Sequence, residues 1–210
     1  MAVLNPASVP LSLYIHMPWC VRKCPYCDFN SHAVPDGALS AELEQTYLKA
    51  LVADFETQVE MAQGRSIHSV FIGGGTPSLI SAKGYAWLFE QLKSLLNFED
   101  DCEITLEANP GTLEHDPFAG YLEAGINRLS IGVQTFNTDH LQKLGRIHSA
   151  NNAMDAIEQA RRAGFKRVNV DLMHGLPEQT LEQALYDLKT AVEQGATHIS
   201  WYQLTIEPNT

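Results

Sequence analysis

Runs in which apolar and polar residues alternate recur along this chain, each followed by a stretch with apolar residues three or four apart. Period two marks half-buried strands, and a period near 3.6 marks amphipathic helices. Strands are therefore expected at Leu11–Met17, Ser69–Ile72, Glu103–Ala108, Arg128–Gln134, Arg167–Leu172 and His198–Ile206. Helices are expected near Ser40–Gln63, Ser81–Leu96, Asp116–Ala124, Asn151–Ala163 and Leu181–Gln194. In the first helix Tyr47, Leu51, Phe55 and Val59 form one apolar stripe. The last helix opens on Thr180 and Gln183, spaced as a capping box, and stops at Gly195. Strands alternating with helices predict an α/β fold on a parallel sheet or barrel.

The strands carry a second message. Arg128–Gln134 places Leu129, Ile131 and Val133 on one face and Ser130, Gly132 and Gln134 on the other. Asn169 and Asp171 share a polar face, as do Thr105 and Glu107, and Ser12, Tyr14 and His16. Fully buried parallel strands ordinarily read as continuous Val, Ile and Leu, and a closed eight-stranded barrel fills its interior with such residues. One apolar and one polar face imply helices outside and a wet, functional interior. An open partial barrel holding a polar ligand satisfies both conditions.

Composition narrows the partners. Lys+Arg 14 against Asp+Glu 25 leaves a net charge of −11, which repels phosphate backbones and argues against nucleic acid. A length of 210 residues allows one domain with a real core, or one plus a fragment. No run is long and apolar enough to span a bilayer. The segment Met1–Pro10 lacks a basic start and is broken by Pro6 and Pro10, so it does not read as a secretory signal. Four cysteines, three of them clustered, make no disulfide framework, and a cytoplasmic chain with reduced thiols is expected.

The clustered cysteines are the strongest chemical signal. Cys20, Cys24 and Cys27 form C-x-x-x-C-x-x-C directly after the first strand. Three thiolates this close can converge on one metal centre. A structural zinc site wants four protein ligands, and the remaining cysteine, Cys102, lies far downstream. A [4Fe–4S] cluster held by three thiolates keeps one iron open for a non-protein ligand. A zinc knuckle, a disulfide loop and a chance cluster are the competing readings. Further on, Gly73-Gly74-Gly75-Thr76-Pro77-Ser78 follows the second strand. Three glycines let backbone approach a ligand and leave N–H groups free to bind it, although a plain strand-to-helix turn reads the same way.

With an aromatic, Tyr26, before its last cysteine, the cysteine motif resembles that of the radical S-adenosylmethionine (SAM) superfamily. The glycine run resembles the SAM-contacting glycine motif of the oxygen-independent coproporphyrinogen III oxidase-like family. Tyr14-Ile-His-Met-Pro-Trp-Cys20, Glu107-Ala-Asn-Pro-Gly111, Ser130–Phe136, Leu144–His148 and Asp171–Pro177 resemble its further motifs in order, from about Leu11 to Thr210. The resemblance implies a (β/α)6 partial TIM barrel, with Cys20, Cys24 and Cys27 as ligands of a [4Fe–4S] cluster. It implies SAM contacts at Tyr14, Gly74, Gly75, Thr76, Glu107, Gln134, Arg146 and Asp171, and Tyr26 against the adenine. In such proteins the reduced cluster cleaves SAM to a 5′-deoxyadenosyl radical. His16, on the same face as Tyr14, is a further candidate to touch cofactor or substrate.

Two branches of that family differ in function. The oxidase branch, which decarboxylates coproporphyrinogen III in porphyrin biosynthesis, extends the motif to a further cysteine. Here that position is Phe29. Cys27-Asp-Phe-Asn-Ser31 instead resembles the heme-chaperone HemW branch, which implies heme or a porphyrin as cargo and heme-acceptor proteins as partners. The whole of residues 1–210 is expected to form the radical SAM core domain. The last helix and the family's C-terminal domain are expected to be missing, as in a truncated chain.

Overall fold

Period-two alternation translates into one six-stranded parallel sheet. The computed structural model describes residues 5, 8–34, 38–111, 116–208 and 210. Most of Met1–Pro10, read above for a secretory signal, lies outside them. The elements in chain order are β1 (Leu11–Met17), two short strands β2 (Trp19–Cys20) and β3 (His32–Ala33), α1 (Ala41–Gln58), β4 (Ile67–Gly74), α2 (Ala82–Leu95), β5 (Phe98–Ala108), α3 (Phe118–Glu123), β6 (Arg128–Gln134), α4 (Thr138–Lys143), α5 (Ala150–Arg162), β7 (Arg167–His174), α6 (Leu181–Glu193) and β8 (His198–Gln203). The large sheet runs β1-β4-β5-β6-β7-β8, each neighbour parallel, and β2 pairs β3 apart from it. Consecutive parallel strands joined by helices, with β1 and β8 left as edges, make an open partial barrel.

The apolar strand faces build the core. Ile72, Leu106, Leu129, Ile131, Val133, Val170 and Leu172 are fully buried in one cluster with Leu48 and Phe55 of α1, Leu88 and Leu92 of α2, and Ile157 of α5. Burying such side chains contributes roughly 1.5–3 kcal/mol each. The helix signals act as read: Thr180 and Gln183 form a reciprocal capping box, and Gly195 after α6 takes φ +85°.

The structure corrects the pattern in several places. There are six helices among the described residues where five were expected. The extra one, α4, has only six residues, too few for an apolar stripe, and is started by Asn137 accepting from the N–H groups of Asp139 and His140. Val59 lies beyond α1, in a 3-10 turn at Val59–Ala62. β5 begins at Phe98, ahead of an acidic stretch that hides its alternation, so Cys102 sits within the strand. β8 stops at Gln203.

Candidate functional site

At the carboxyl ends of the strands lies a cavity of about 470 Å³. Its walls include Cys20, Cys24, Tyr26, Cys27, Gly74, Gly75, Thr76, Glu107, Gln134, Arg146 and Asp171. These are the residues singled out in the sequence, with two exceptions, Tyr14 and His16. Tyr14 stays on the edge strand, 57% exposed, its hydroxyl on His16 Nδ1 at 2.9 Å and its ring stacked on Phe71. His16 spends its other nitrogen on the Asn30 carbonyl at 2.8 Å, so both ring nitrogens serve the local structure.

The cysteine loop crosses from β1 to the far side of the barrel. Its base is pinned by the β2–β3 pair and by Lys23, whose ammonium donates to the carbonyls of Phe29 and Ser31. Its tip is pinned by Tyr26, packed with Leu204 against the small buried cluster of Leu144, Met173 and Leu176. All three cysteines are free thiols, Cys20 buried and the others half-buried. Burial and the neighbouring Cys20 and Cys24 sulfurs hold the Cys27 thiol above its ordinary range, against the pull of a Phe29 backbone hydrogen bond. Among the described residues no three His, Cys, Asp or Glu side chains converge tightly enough for a single metal ion. A closed structural zinc site would need a fourth protein ligand beside these three thiols.

The glycine turn has a role that the sequence did not reveal. Gly75 N–H donates to Met17 O at 2.6 Å and Thr76 N–H to Trp19 O at 2.6 Å. A Cβ on Gly75 would lie 2.4 Å from Trp19 O. A Cβ on Gly74, at φ +116°, would lie 2.6 Å from the His16 ring. Glycine is required here because the chain leading into Cys20 presses against the turn. Behind it, two buried tyrosines hold the following residues: Tyr85 donates to Pro77 O at 2.7 Å and Tyr121 to Ser78 O at 2.7 Å.

The lumen below is only partly wet. Ser130, Asn169 and Thr105 are buried, and Asn169 Nδ2 donates to Ser130 Oγ (2.9 Å), Asp171 Oδ1 (2.8 Å) and Ser200 Oγ (2.9 Å). Ser130 Oγ donates to Asp171 Oδ2 at 2.9 Å. This network fixes Asp171, whose pKa burial still raises. Glu107 accepts from Gly74 N–H at 3.1 Å. Burial and the facing Asp171 push its carboxyl up to about 7, the Gly74 bond opposing. Gln134 is buried in the left-handed region at φ 69°, where β6 breaks register with β7, and accepts from Tyr202 at 2.8 Å. A strained non-glycine residue at a cavity wall is a recurrent mark of function.

Arg146 closes the cavity on the cysteine side. It donates to Asn109 Oδ1 at 2.6 Å, to Gly132 O at 2.8 Å and to Cys24 Sγ at 3.5 Å. Burial pulls its pKa down, but the Tyr26 and Cys24 groups beside it more than offset that. Asn109 was quoted within a motif but not read as a site residue. It links Arg146 to Thr76 Oγ1, to which its Nδ2 donates at 3.1 Å. Ser200 and Tyr202 were likewise missed as site residues. Their positions two apart on β8 were the available signal.

This constellation agrees with comparisons to known proteins. The family model of the Radical SAM superfamily matches residues 14–191. The chain belongs to the radical SAM superfamily. Membership implies a [4Fe–4S] cluster and SAM as its cofactors. Within the superfamily, the chain is 57% identical over 205 residues to the heme chaperone HemW of Haemophilus influenzae, covering 98% of this chain and 54% of that protein. It is 53% identical over 202 residues to HemW of Escherichia coli, covering 96% and 52% respectively. The radical SAM enzyme coproporphyrinogen III oxidase (HemN) of Escherichia coli superposes with a TM-score of 0.82 at 31% identity, over 95% of this chain and 45% of that one. The chain thus spans about half the length of the curated relatives it matches. No helix among the described residues is long and apolar enough to cross a membrane.

Proposed function

We propose that this chain is the radical SAM core of a heme chaperone, holding a [4Fe–4S] cluster and SAM in support of heme delivery to acceptor proteins in the cytoplasm. The observation that carries the reading is 57% identity to a heme chaperone across 98% of the chain. Phe29 supports the same branch. It is 55% exposed at the cavity wall, where the oxidase-like pattern calls for another cysteine.

Cys20, Cys24 and Cys27 hold the cluster in this reading. Three free thiols on one cavity, without a fourth, suit a group with one open iron. The cluster supplies an iron for the amino and carboxylate groups of SAM and the electron for its reductive cleavage. The remaining roles belong to the chain. Arg146 neutralises a carboxylate, Glu107 accepts from amino N–H groups, and Asp171 and Gln134 bind hydroxyl or amine groups. Gly74, Gly75 and Thr76 line the wall, and Tyr26 offers its ring to the adenine.

The test is anaerobic reconstitution of the protein followed by heme titration and a coproporphyrinogen III assay with reductant and SAM. About four irons per chain, tight heme binding and no protoporphyrinogen above the protein-free control are expected. Cys24→Ala should take up no cluster. One zinc per chain without iron uptake would sink the cofactor assignment, and robust decarboxylation would restore the oxidase.

A further inference from the structure

Arg146 is a buried cation with no carboxylate partner among the described residues. Its Nε–H is buried and finds no acceptor. A guanidinium taken from water without an anion is strongly disfavoured, so the counter-charge must come from what faces it. The sulfur of Cys24 lies 3.5 Å from Nη1.

The orientation is built rather than incidental. Nη2 is committed to Asn109 and Gly132, which aims Nη1 at the sulfur. Asn109 is in turn tied to Thr76 of the glycine turn. The preceding residue, Gly145 at φ +71°, lies so close to the cysteine loop that a Cβ there would meet Pro25 Cδ at 2.7 Å. A continuous hydrogen-bonded path therefore runs from Thr76 through Asn109 and Arg146 to Cys24.

We infer that Arg146 is a hydrogen-bond donor to the sulfur of Cys24 and, with a cluster in place, raises its reduction potential. This rests on the cluster assignment under Proposed function. Reduction adds negative charge to the cluster and its sulfurs. A fixed positive donor beside one sulfur favours the reduced form, and hydrogen bonds to sulfur are among the determinants of iron–sulfur potentials. Arginine suits the task because its charge persists at any working pH and its planar fork can be aimed. Asn109 is a positioning residue acting through Arg146.

The experiment is a potentiometric titration followed by electron paramagnetic resonance on the reconstituted 210-residue chain, in wild-type, Arg146→Gln, Arg146→Lys and Asn109→Ala forms. At equal iron content, the midpoint should move negative in Arg146→Gln. Arg146→Lys should shift less, because it keeps the charge and loses the fork. Asn109→Ala should shift in the same direction by releasing the aim. Equal midpoints in wild type and Arg146→Gln would overturn the inference while leaving the cluster assignment intact. Loss of iron from Arg146→Gln but not Arg146→Lys would support it. Loss from both would overturn it, because restoring the charge would then restore nothing. A wild-type chain without iron would refute the cluster assignment and this inference with it.

Discussion

Gly75→Ala tests whether the glycine turn exists to seat the chain leading to Cys20. Gly75 has no left-handed backbone requirement, so alanine is conformationally allowed there. What alanine meets is space already filled: Trp19 O at 2.4 Å, Trp19 C at 2.7 Å and Met17 O at 3.0 Å, all backbone atoms. Two responses are open. The overlap can be tolerated, at the roughly 1–3 kcal/mol typical of overpacking. Alternatively the segments separate and lose the bonds from Gly75 and Thr76 to Met17 and Trp19, at about 1 kcal/mol each. The chain takes the smaller cost, so destabilisation near 2 kcal/mol is expected. For a domain of this size that lowers the melting temperature by about 4–8 °C. Thermal unfolding of the iron-free chain by circular dichroism measures it, and iron per chain after reconstitution reports on the loop. Gly64→Ala is the control: it introduces left-handed strain at φ +76° but meets nothing within 4 Å. It should lose about 1–2 kcal/mol and load iron normally. A Gly75→Ala chain that melts within a degree of wild type and loads iron fully would refute the steric argument.

Two further outcomes follow from the lumen carboxylates. Folded Glu107 keeps its proton up to about 7, whereas the unfolded carboxyl titrates near 4.3. The folded state therefore binds more protons in that interval, and stability falls as pH rises through it by about 4 kcal/mol. Glu107→Gln should abolish that slope and raise the urea midpoint at pH ~8, and parallel pH profiles for the two proteins would refute the assignment. Asp171→Ala removes an acceptor shared by Ser130 and Asn169. It should weaken SAM binding to the reconstituted chain by about tenfold or more, read by calorimetry, and unchanged affinity would place SAM elsewhere.

The alternation of Leu129, Ile131 and Val133 with Ser130, Gly132 and Gln134 already carried the barrel, because a one-residue slip would have exposed the whole core face. The site was legible for the same reason. Inward positions at strand ends converge in any such barrel, so Glu107, Gln134 and Asp171 had to meet near the cysteine loop. Other features depend on contacts that no local pattern encodes. Asn109 matters because it reaches Thr76 and Arg146, 33 and 37 positions away. Tyr202 matters because it reaches Gln134 across 68 positions. The reading of Gly74 and Gly75 was right about close approach and incomplete about what approaches. Tyr14 lies outside the cavity because β1 is an edge strand and its outer neighbour is solvent rather than another wall.

The arrangement of charge in the cavity constrains its occupant more tightly than its shape does. Glu107 and Asp171 face each other in the lumen, and among the described residues neither forms an ion pair. Arg146, on the cysteine side, has no carboxylate partner either. The barrel thus places a guanidinium and two carboxyl groups on one cavity without joining them in an ion pair among the described residues. An occupant without donors or acceptors would leave both sides unpartnered, and burial of unpartnered polar groups opposes that. A dianionic occupant, such as the paired propionates of a porphyrin, would satisfy Arg146 while burying further negative charge near Glu107 and Asp171. A group carrying N–H donors beside a carboxylate answers both at once, and the amino-acid end of SAM is such a group.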